Sequence, residues 1–272
     1  MPDQSGKTAW ITGASSGIGA ALAKAWLADG GHCILSGRNV AALEEVAGDA
    51  RDRCRILPFD TADYDAIPAL VEKAVAFQGS IDVLVNNAGI SQRSLALDTD
   101  LSVYRQIIDI DLLAPIALTQ ALLPHFATRK AGQLVMISSV AGKAGVPLRT
   151  AYCAAKHGLI GYADALRAEM AGHGVRVLVV APGSVRTNVS RNALAGDGAP
   201  RGVSDSAIDN GIDPDSVAQT IWQAVSEGKR EIVIAEGTEA QIPLLRAQDP
   251  ERLFDMMAAM MAAGYAKKLG AE

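Results

Sequence analysis

The sequence predicts an α/β fold, in which a doubly wound parallel sheet carries helices on both faces. Seven short runs rich in Val, Ile and Leu recur along the 272 residues, and most of them lack alternation between apolar and polar side chains. Such runs are typical of strands that are buried on both faces. Stretches of helical character separate the runs. Because strands and helices alternate, the connections must cross over, and crossover connections produce a parallel sheet.

The individual elements follow from these runs. The predicted strands span 9–12, 33–36, 55–59, 81–85, 133–137, 175–180 and 231–235, and helical stretches are predicted at 21–28, 64–75 and 213–227. No linker rich in Pro, Gly or Ser divides the chain, so we predict a single domain over residues 1–272. Within it, the irregular region 183–212 is predicted to border the substrate, and 240–272 is predicted to form a helical extension.

Composition and charge argue against several classes of function. The chain has 25 Lys and Arg against 30 Asp and Glu, a net charge of −5, and no basic cluster, which argues against nucleic-acid binding. Cys33, Cys54 and Cys153 lack metal-ligand spacing, so we predict reduced thiols and no metal site. The N-terminus lacks signal-peptide features, and no run of roughly eighteen uninterrupted apolar residues occurs. We therefore expect a cytoplasmic protein without a membrane span.

A glycine-rich stretch, T-G-A-S-S-G-I-G at 12–19, follows the first predicted strand and leads into alanine-rich helical sequence. A strand, a glycine-rich turn and a helix together aim backbone N–H groups and a helix N-terminus at phosphate. The glycines would permit the tight turn and close approach, and the serines would offer hydroxyl donors: Gly13, Gly17, Gly19, Ser15 and Ser16. A structural turn is the alternative, since the spacing differs from the commonest dinucleotide fingerprint.

The second predicted strand ends in C-I-L-S-G-R-N, which places Arg38 roughly 20 residues past the glycines. In a dinucleotide fold this position meets the adenosine ribose, where a carboxylate would hold the 2′-hydroxyl of NAD. A guanidinium suits a 2′-phosphate instead, because it offers several donors in a fixed geometry. We therefore predict NADP(H) in preference to NAD(H). The alternative is that Arg38 only solvates the strand end.

The stretch R-T-A-Y-C-A-A-K-H-G-L is typical of a helix, so Tyr152 and Lys156 lie one turn apart on the same face. A free phenol has a pKa of about 10 and is a poor proton shuttle near neutrality, but a neighbouring ammonium stabilises the phenolate. Ser139 follows the fifth predicted strand, at the sheet edge where ligands bind, and its hydroxyl could hydrogen-bond a substrate oxygen. The alternative for Tyr152 and Lys156 is a surface pair.

Taken together, these motifs resemble the short-chain dehydrogenase/reductase family in its single-domain branch. The matching positions are T-G-A-S-S-G-I-G at 12–19, Asp60 after the third strand, N-N-A-G at 86–89, Ser139, Y-C-A-A-K at 152–156 and P-G-S-V-R-T at 182–187. The resemblance implies a Rossmann-like fold and an oxidoreductase that moves a hydride between a nicotinamide and a ketone, aldehyde or secondary alcohol. It also implies a small-molecule substrate and a homodimer or homotetramer.

The resemblance further implies a role for each matching residue. Tyr152 would be the catalytic acid or base, Lys156 would stabilise its phenolate and bind the nicotinamide ribose, and Ser139 would polarise the carbonyl. Asp60 would face the adenine, and Asn86 would brace the central sheet. The implied cofactor-binding set is Gly13, Ser15, Ser16, Gly17, Ile18, Gly19, Arg38, Asp60, Asn87, Ala88, Gly89, Tyr152, Lys156, Pro182, Gly183, Val185 and Thr187.

One catalytic position departs from the family pattern. Where the family carries an asparagine, alignment through D-I-D-L-L-A-P places Asp111 as the fourth catalytic member. The backbone carbonyl that serves the family's proton relay is retained, so we expect activity. The carboxylate could pair with Lys156 and stabilise its ammonium, which would weaken proton transfer out of it. Pro115, in the same helix, is predicted to kink it or to mark a local start.

The sequence leaves alternatives open for the function and for the C-terminal region. An NAD-dependent alcohol dehydrogenase and a non-catalytic dinucleotide sensor compete with the NADP(H)-dependent enzyme, although a sensor has no need of a tuned phenol. Near the C-terminus, Met256, Met257, Met260 and Met261 form an apolar stripe at helical spacing. This stripe could pack on the domain or on another subunit, cover an apolar substrate, or lie on a membrane surface.

Overall fold

The computed structural model describes residues 3–270 and confirms the predicted fold class. Its strands are β1 (Thr8–Thr12), β2 (His32–Ser36), β3 (Cys54–Ile56), β4 (Val83–Asn86), β5 (Gly132–Ile137), β6 (Val175–Pro182) and β7 (Glu231–Ile234). All pair in parallel, and within the described range they form one seven-stranded sheet in the order β3-β2-β1-β4-β5-β6-β7. Strand order reverses between β1 and β4, which creates the crevice where such sheets bind ligands.

The strands lie within two residues of their predicted bounds, except at the end of β3. We predicted 55–59, but the strand ends at Ile56. The Leu57 N–H still donates to the Leu35 carbonyl of β2 at 3.0 Å, so pairing reaches one residue past the strand end but not to residue 59. The prediction is therefore wrong at this end.

Helices cover both faces of the sheet. They are α1 (Gly17–Ala28), α2 (Val40–Ala47), α3 (Ile67–Gln78), α4 (Leu101–Ile108), α5 (Ala114–Arg129), α6 (Thr150–Met170), α7 (Ser206–Asp209), α8 (Pro214–Ser226), α9 (Gly237–Gln248), α10 (Pro250–Ala262) and α11 (Tyr265–Lys268). Helices α1, α2 and α8 share one apolar cluster with Ile11, and α3, α5 and α6 share another with Trp10. Adjacent residues of β1 thus face opposite layers, which explains why the strand sequence is apolar throughout.

Helix α4 passes into α5 through one π-helical turn, Asp109–Leu113. Pro115 lies in the first turn of α5, directly after the π-helical turn, and the backbone is helical at both Leu113 and Ala114, so the expected kink or local start stays a prediction. By length and composition alone, the continuous run Leu101–Arg129, which contains an 18-residue window with a mean hydropathy of 1.6, could cross a membrane. Its inner face, which includes Leu122 and Phe126, is buried in the core, as in a core helix of a globular domain. Because this run passes the test of length and composition, the absence of a membrane span stays a prediction.

The irregular region and the helical extension predicted from the sequence both contain helices. Region 183–212 contains α7 and pairs through Leu194 with Gln92, in the loop after β4. The predicted extension 240–272 forms most of α9 and all of α10 and α11, although 271 and 272 lie outside the described residues. On α10 the methionine stripe is half-buried at 257, 260 and 261, and Met256 is 40% exposed.

Candidate active site

A cleft of about 720 Å³ opens at the carboxyl edge of the sheet, beside the crevice between β1 and β4. It collects predicted site residues that are far apart in sequence. Those lining it are Gly13, Ser15, Ser16, Gly17, Ile18, Arg38, Asp60, Asn87, Ala88, Gly89, Asp111, Ser139, Tyr152, Lys156, Pro182, Gly183, Val185 and Thr187. Gly19 is the exception, because it lies behind the turn and packs on the backbone of Gly13.

The glycine-rich turn forms a cradle whose glycines have no room for side chains. Gly13 and Gly17 have φ of 63° and 53°, in the left-handed region that glycine adopts freely. A Cβ on Gly13 would lie 2.9 Å from the Cα of Ala88, and one on Gly19 would lie 2.3 Å from the Gly13 carbonyl oxygen. Helix α1 begins at Gly17 without an acidic residue in its first turn. Its N-terminal N–H groups are therefore oriented for an anion, and the cradle fits a dinucleotide pyrophosphate.

Thr12 is a brace of this cradle that we did not assign from the sequence. Its hydroxyl accepts hydrogen bonds from the N–H groups of Asn87 (3.0 Å) and Ala88 (3.1 Å), and donates to the Val85 carbonyl (3.3 Å). The Asn87 amide returns a bond to the Thr12 carbonyl at 2.9 Å. A hydroxyl at the end of a buried strand was the available signal. Asn86 is buried and donates to Thr119 on α5 at 2.9 Å, as its predicted bracing role requires.

At the far end of the cleft, Arg38 and Asp60 face each other after β2 and β3. The guanidinium and carboxylate lie 4.0 Å apart, and the two side chains are 75% and 51% exposed. An exposed pair at this distance is worth little, so the Arg38 side chain is free to turn towards a bound anion.

Tyr152 and Lys156 project from α6 into the cleft, opposite Ser139. The Lys156 ammonium lies 5.6 Å from the centroid of the Tyr152 ring. The Ser139 hydroxyl accepts from the Ala141 N–H at 3.1 Å and donates to the Pro182 carbonyl at 3.3 Å, which fixes its position.

Ser138, which we did not include in the predicted site, fixes α6 against the strand that precedes Ser139. Its hydroxyl donates to the Lys156 carbonyl at 3.0 Å, and a Cβ on Gly142 would lie 2.4 Å from that hydroxyl oxygen. The small residue at 142 therefore permits this contact. Ser138 thus sets the distance between the helix and the sheet at the level of the catalytic lysine.

A buried ion pair joins Lys156 to Asp111, the departure from the family pattern. Their charged groups are 3.1 Å apart, and the side chains are 5% and 0% exposed. The ammonium also donates to the Ile137 carbonyl at 3.0 Å, and the carboxylate accepts from the Ile90 N–H at 2.8 Å. Burial works against the ammonium, but the Asp111 carboxylate and, to a smaller extent, Tyr152 together outweigh it, so the pKa of Lys156 lies above its ordinary value. The expected pairing is therefore present.

The neighbours of Asp111 accommodate this pair. Burial raises the pKa of the Asp111 carboxyl against the opposing pull of Lys156. Asp111 lies inside the π-helical turn, a feature that often marks functional sites. A Cβ on Gly89 would lie 2.8 Å from the carboxylate oxygen, so glycine at this position leaves room for the pair.

Two further clusters, which we did not predict, lie outside the residues that line the cleft. Asp205, next to α7, accepts from Arg93 at 2.7 Å and also from Arg201, and both arginines are at least nine-tenths buried. Glu239 on α9 binds Ser184, behind the segment that follows β6. Across residues 3–270, no group of three or more His, Cys, Asp or Glu side chains could hold a metal ion.

The chain is similar to known sequences and solved structures. The family model described as short chain dehydrogenase matches residues 7–197. Dehydrogenase/reductase SDR family member 7B of Xenopus laevis is 38% identical over 258 residues, which cover 92% of this chain and 80% of the Xenopus protein. A short-chain dehydrogenase from Streptomyces avermitilis superposes with a TM-score of 0.80 at 28% identity, covering 95% of this chain and 98% of that one. A metagenomic short-chain oxidoreductase solved in complex with NADP superposes with a TM-score of 0.69 at 30% identity, covering 85% of this chain and 98% of that one.

Proposed function

Since the chain belongs to the short-chain dehydrogenase family and is an oxidoreductase of that family, we propose that it uses NADP(H) to interconvert a ketone or aldehyde and the corresponding alcohol. One observation carries this proposal: Ser139, Tyr152 and Lys156 line the same cleft as the glycine-rich turn. A hydride carrier and a proton donor would therefore meet at one carbonyl group.

The residues proposed to hold the cofactor follow the cleft from end to end. The turn at 13–19 and the N-terminus of α1 would bind the phosphates. Arg38 would bind a 2′-phosphate, since a guanidinium instead of a carboxylate follows β2. This choice rests on Arg38, since solved relatives carry NAD as well as NADP. Lys156 and the segment 182–187 would border the nicotinamide end.

The catalytic groups would divide the proton chemistry among them. When bound, the nicotinamide supplies or accepts the hydride at the carbonyl carbon. In the reductive direction, Tyr152 donates its phenolic proton to the carbonyl oxygen, and the Ser139 hydroxyl hydrogen-bonds the same oxygen as charge develops on it. The Lys156 ammonium stabilises the phenolate that remains. Asp111 keeps that ammonium protonated.

A screen of purified protein tests this proposal. A panel of ketones, aldehydes and secondary alcohols is incubated with NADPH or NADH, or with their oxidised forms, and absorbance of the reduced cofactor is followed. We expect turnover with at least one pair of compounds and a higher kcat/KM with NADPH. Binding of NADPH without turnover across the panel would support a dinucleotide sensor instead. A higher kcat/KM with NADH would support an NAD-dependent alcohol dehydrogenase.

Other parts of the functional picture stay predictions. We propose a cytoplasmic location and a homodimer or homotetramer, which fractionation and light scattering would test. Leu244, Phe254 and Met256 of α9 and α10 are 52%, 50% and 40% exposed. Packing on a second subunit is one of the roles predicted for the methionine stripe, to which Met256 belongs.

A further inference from the structure

A carboxylate from the C-terminal helices contacts the backbone next to the catalytic cleft. Glu239 lies in the first turn of α9 and engages one residue, Ser184, with both of its oxygens. The Ser184 N–H donates to Oε2 at 2.6 Å, and the Ser184 hydroxyl donates to Oε1 at 2.8 Å. Hydrogen bonds to an ionised acceptor are short and strong, so this contact fixes both the backbone and the side chain of Ser184.

The contact lies directly behind the wall of the cleft. Gly183 and Val185 line the cleft, whereas the side chain of Ser184, between them, points to Glu239. A Cβ on Gly183 would lie 2.4 Å from the Glu239 carboxylate, so only glycine leaves room for the carboxylate at this distance. The opposite side of the segment is also held, because the Ile212 N–H donates to the Ser184 carbonyl at 2.9 Å.

The same segment is connected to a catalytic side chain. The carbonyl of Pro182 accepts the hydrogen bond from Ser139 at 3.3 Å. Helix α9 also packs against the short turn Val140–Gly142 that follows Ser139. A shift of 182–185 would therefore move both the wall of the cleft and the orientation of the serine hydroxyl.

We propose that Glu239 is a positioning residue for the nicotinamide end of the cofactor. It sets the backbone of Gly183–Val185 through Ser184 and, through Pro182, the orientation of Ser139. The inference rests on the proposed function, since it assumes that a nicotinamide dinucleotide occupies the cleft. It gives Glu239 a role that neither the sequence motifs nor the family resemblance assigned.

The test measures binding of two ligands to the full-length protein by calorimetry. NADPH spans the whole cleft, whereas 2′,5′-ADP carries only the adenosine end. For Glu239→Ala we expect NADPH to bind about tenfold more weakly, as loss of charge-assisted hydrogen bonds predicts, and 2′,5′-ADP to bind as in the wild type. For Glu239→Gln we expect a smaller loss, because the amide oxygen can still accept from the Ser184 N–H. Hydrogen exchange of amides 183–187, measured without cofactor, should be faster in Glu239→Ala.

Glu236→Ala is the matched control. Glu236 is the exposed N-cap residue of the same helix, and its side chain makes no hydrogen bond to the described first turn of α9. Its replacement removes the same charge, so NADPH affinity should not change. Equal NADPH affinity in wild type and Glu239→Ala would overturn the inference while leaving the proposed function intact. Equal weakening of both ligands would also overturn it, because the defect would then be general. If the wild-type protein binds no nicotinamide dinucleotide, both the proposed function and this inference are wrong.

Discussion

The buried pair of Asp111 and Lys156 predicts how the reaction depends on pH. An isolated ammonium next to Tyr152 would stabilise the phenolate strongly, whereas an ammonium already neutralised by a carboxylate does so less. Replacing Asp111 by Asn keeps the size of the side chain and an oxygen acceptor for the Ile90 N–H. It removes only the negative charge. We therefore expect the phenolate to be more stable in the variant than in the wild type.

The size of the effect follows from two distances. The ammonium lies 5.6 Å from the Tyr152 ring centroid and 3.1 Å from the carboxylate, so the carboxylate is no more than about 9 Å from the ring. At an effective dielectric constant of about 20, a unit charge at that distance opposes the phenolate by about 2 kcal/mol. Since one pH unit corresponds to about 1.4 kcal/mol, Asp111→Asn should shift the ionisation seen in the rate by about one pH unit.

The assay is the pH dependence of kcat/KM for alcohol oxidation. The rate rises with pH as the phenolate forms, and the midpoint of that rise should move to lower pH in Asp111→Asn. Asp109→Asn is the control, because Asp109 lies in the same π-helical turn and none of the described ion pairs includes it. Its midpoint should match that of the wild type. A midpoint in Asp111→Asn that is unchanged, or that moves to higher pH, would refute the electrostatic reasoning.

Three further variants test other parts of the structure. Arg38→Asp should reverse the cofactor preference from NADPH to NADH, since a carboxylate repels a 2′-phosphate and accepts from a ribose hydroxyl; kcat/KM with each cofactor measures this. Gly19→Ala should abolish NADPH binding, because its Cβ would lie 2.3 Å from the Gly13 carbonyl oxygen; calorimetry measures this. Asp205→Asn should lower the free energy of unfolding by about 3–5 kcal/mol, since it leaves Arg93 buried without its ionic partner; urea denaturation measures this.

For each of these variants, one result would contradict the prediction. Unchanged preference in Arg38→Asp would show that the residue only solvates the strand end. Gly161→Ala is the control for Gly19→Ala, because its added Cβ meets nothing within 4 Å and should leave binding intact. A loss well under 1 kcal/mol in Asp205→Asn would mean that the cluster contributes little to stability.

The Asp205 cluster also predicts an effect of acid. Burial opposes the charge of Asp205, but Arg93 and Arg201 outweigh it, so the pKa of this carboxyl lies below its ordinary value. Its contribution to stability is therefore present above about pH 4 and is lost as pH falls through the depressed pKa. In Asp205→Asn, the part of the acid-induced loss of stability that comes from this carboxyl should be absent.

The sequence was sufficient to predict features that depend on residues close together in the chain. The apolar runs located the strands because a strand buried on both faces needs such residues. The spacing of Tyr152 and Lys156 placed both on one helical face. The glycines of the turn were recognisable because no other residue fits there.

Other contacts could not be predicted because they join residues that are remote in the chain. Asp205 pairs with Arg93, 112 positions away, and Glu239 binds Ser184, 55 positions away. Neither carboxylate lies in a motif, and charged residues of this kind are usually solvated. The π-helical turn around Asp111 has no local signature either, since it depends on how α4 and α5 pack. These contacts arise only once the sheet brings its loops to one edge.

The central claim is that Tyr152 exchanges a proton at the same carbonyl that exchanges a hydride. The most direct test compares single-turnover rates of wild type and Tyr152→Phe with saturating NADPH and a ketone identified by the screen, after calorimetry shows that both proteins bind NADPH equally. We predict that the rate falls by at least about a hundredfold, as expected for loss of a general acid. A Tyr152→Phe protein that binds NADPH and turns over at the wild-type rate would contradict the account.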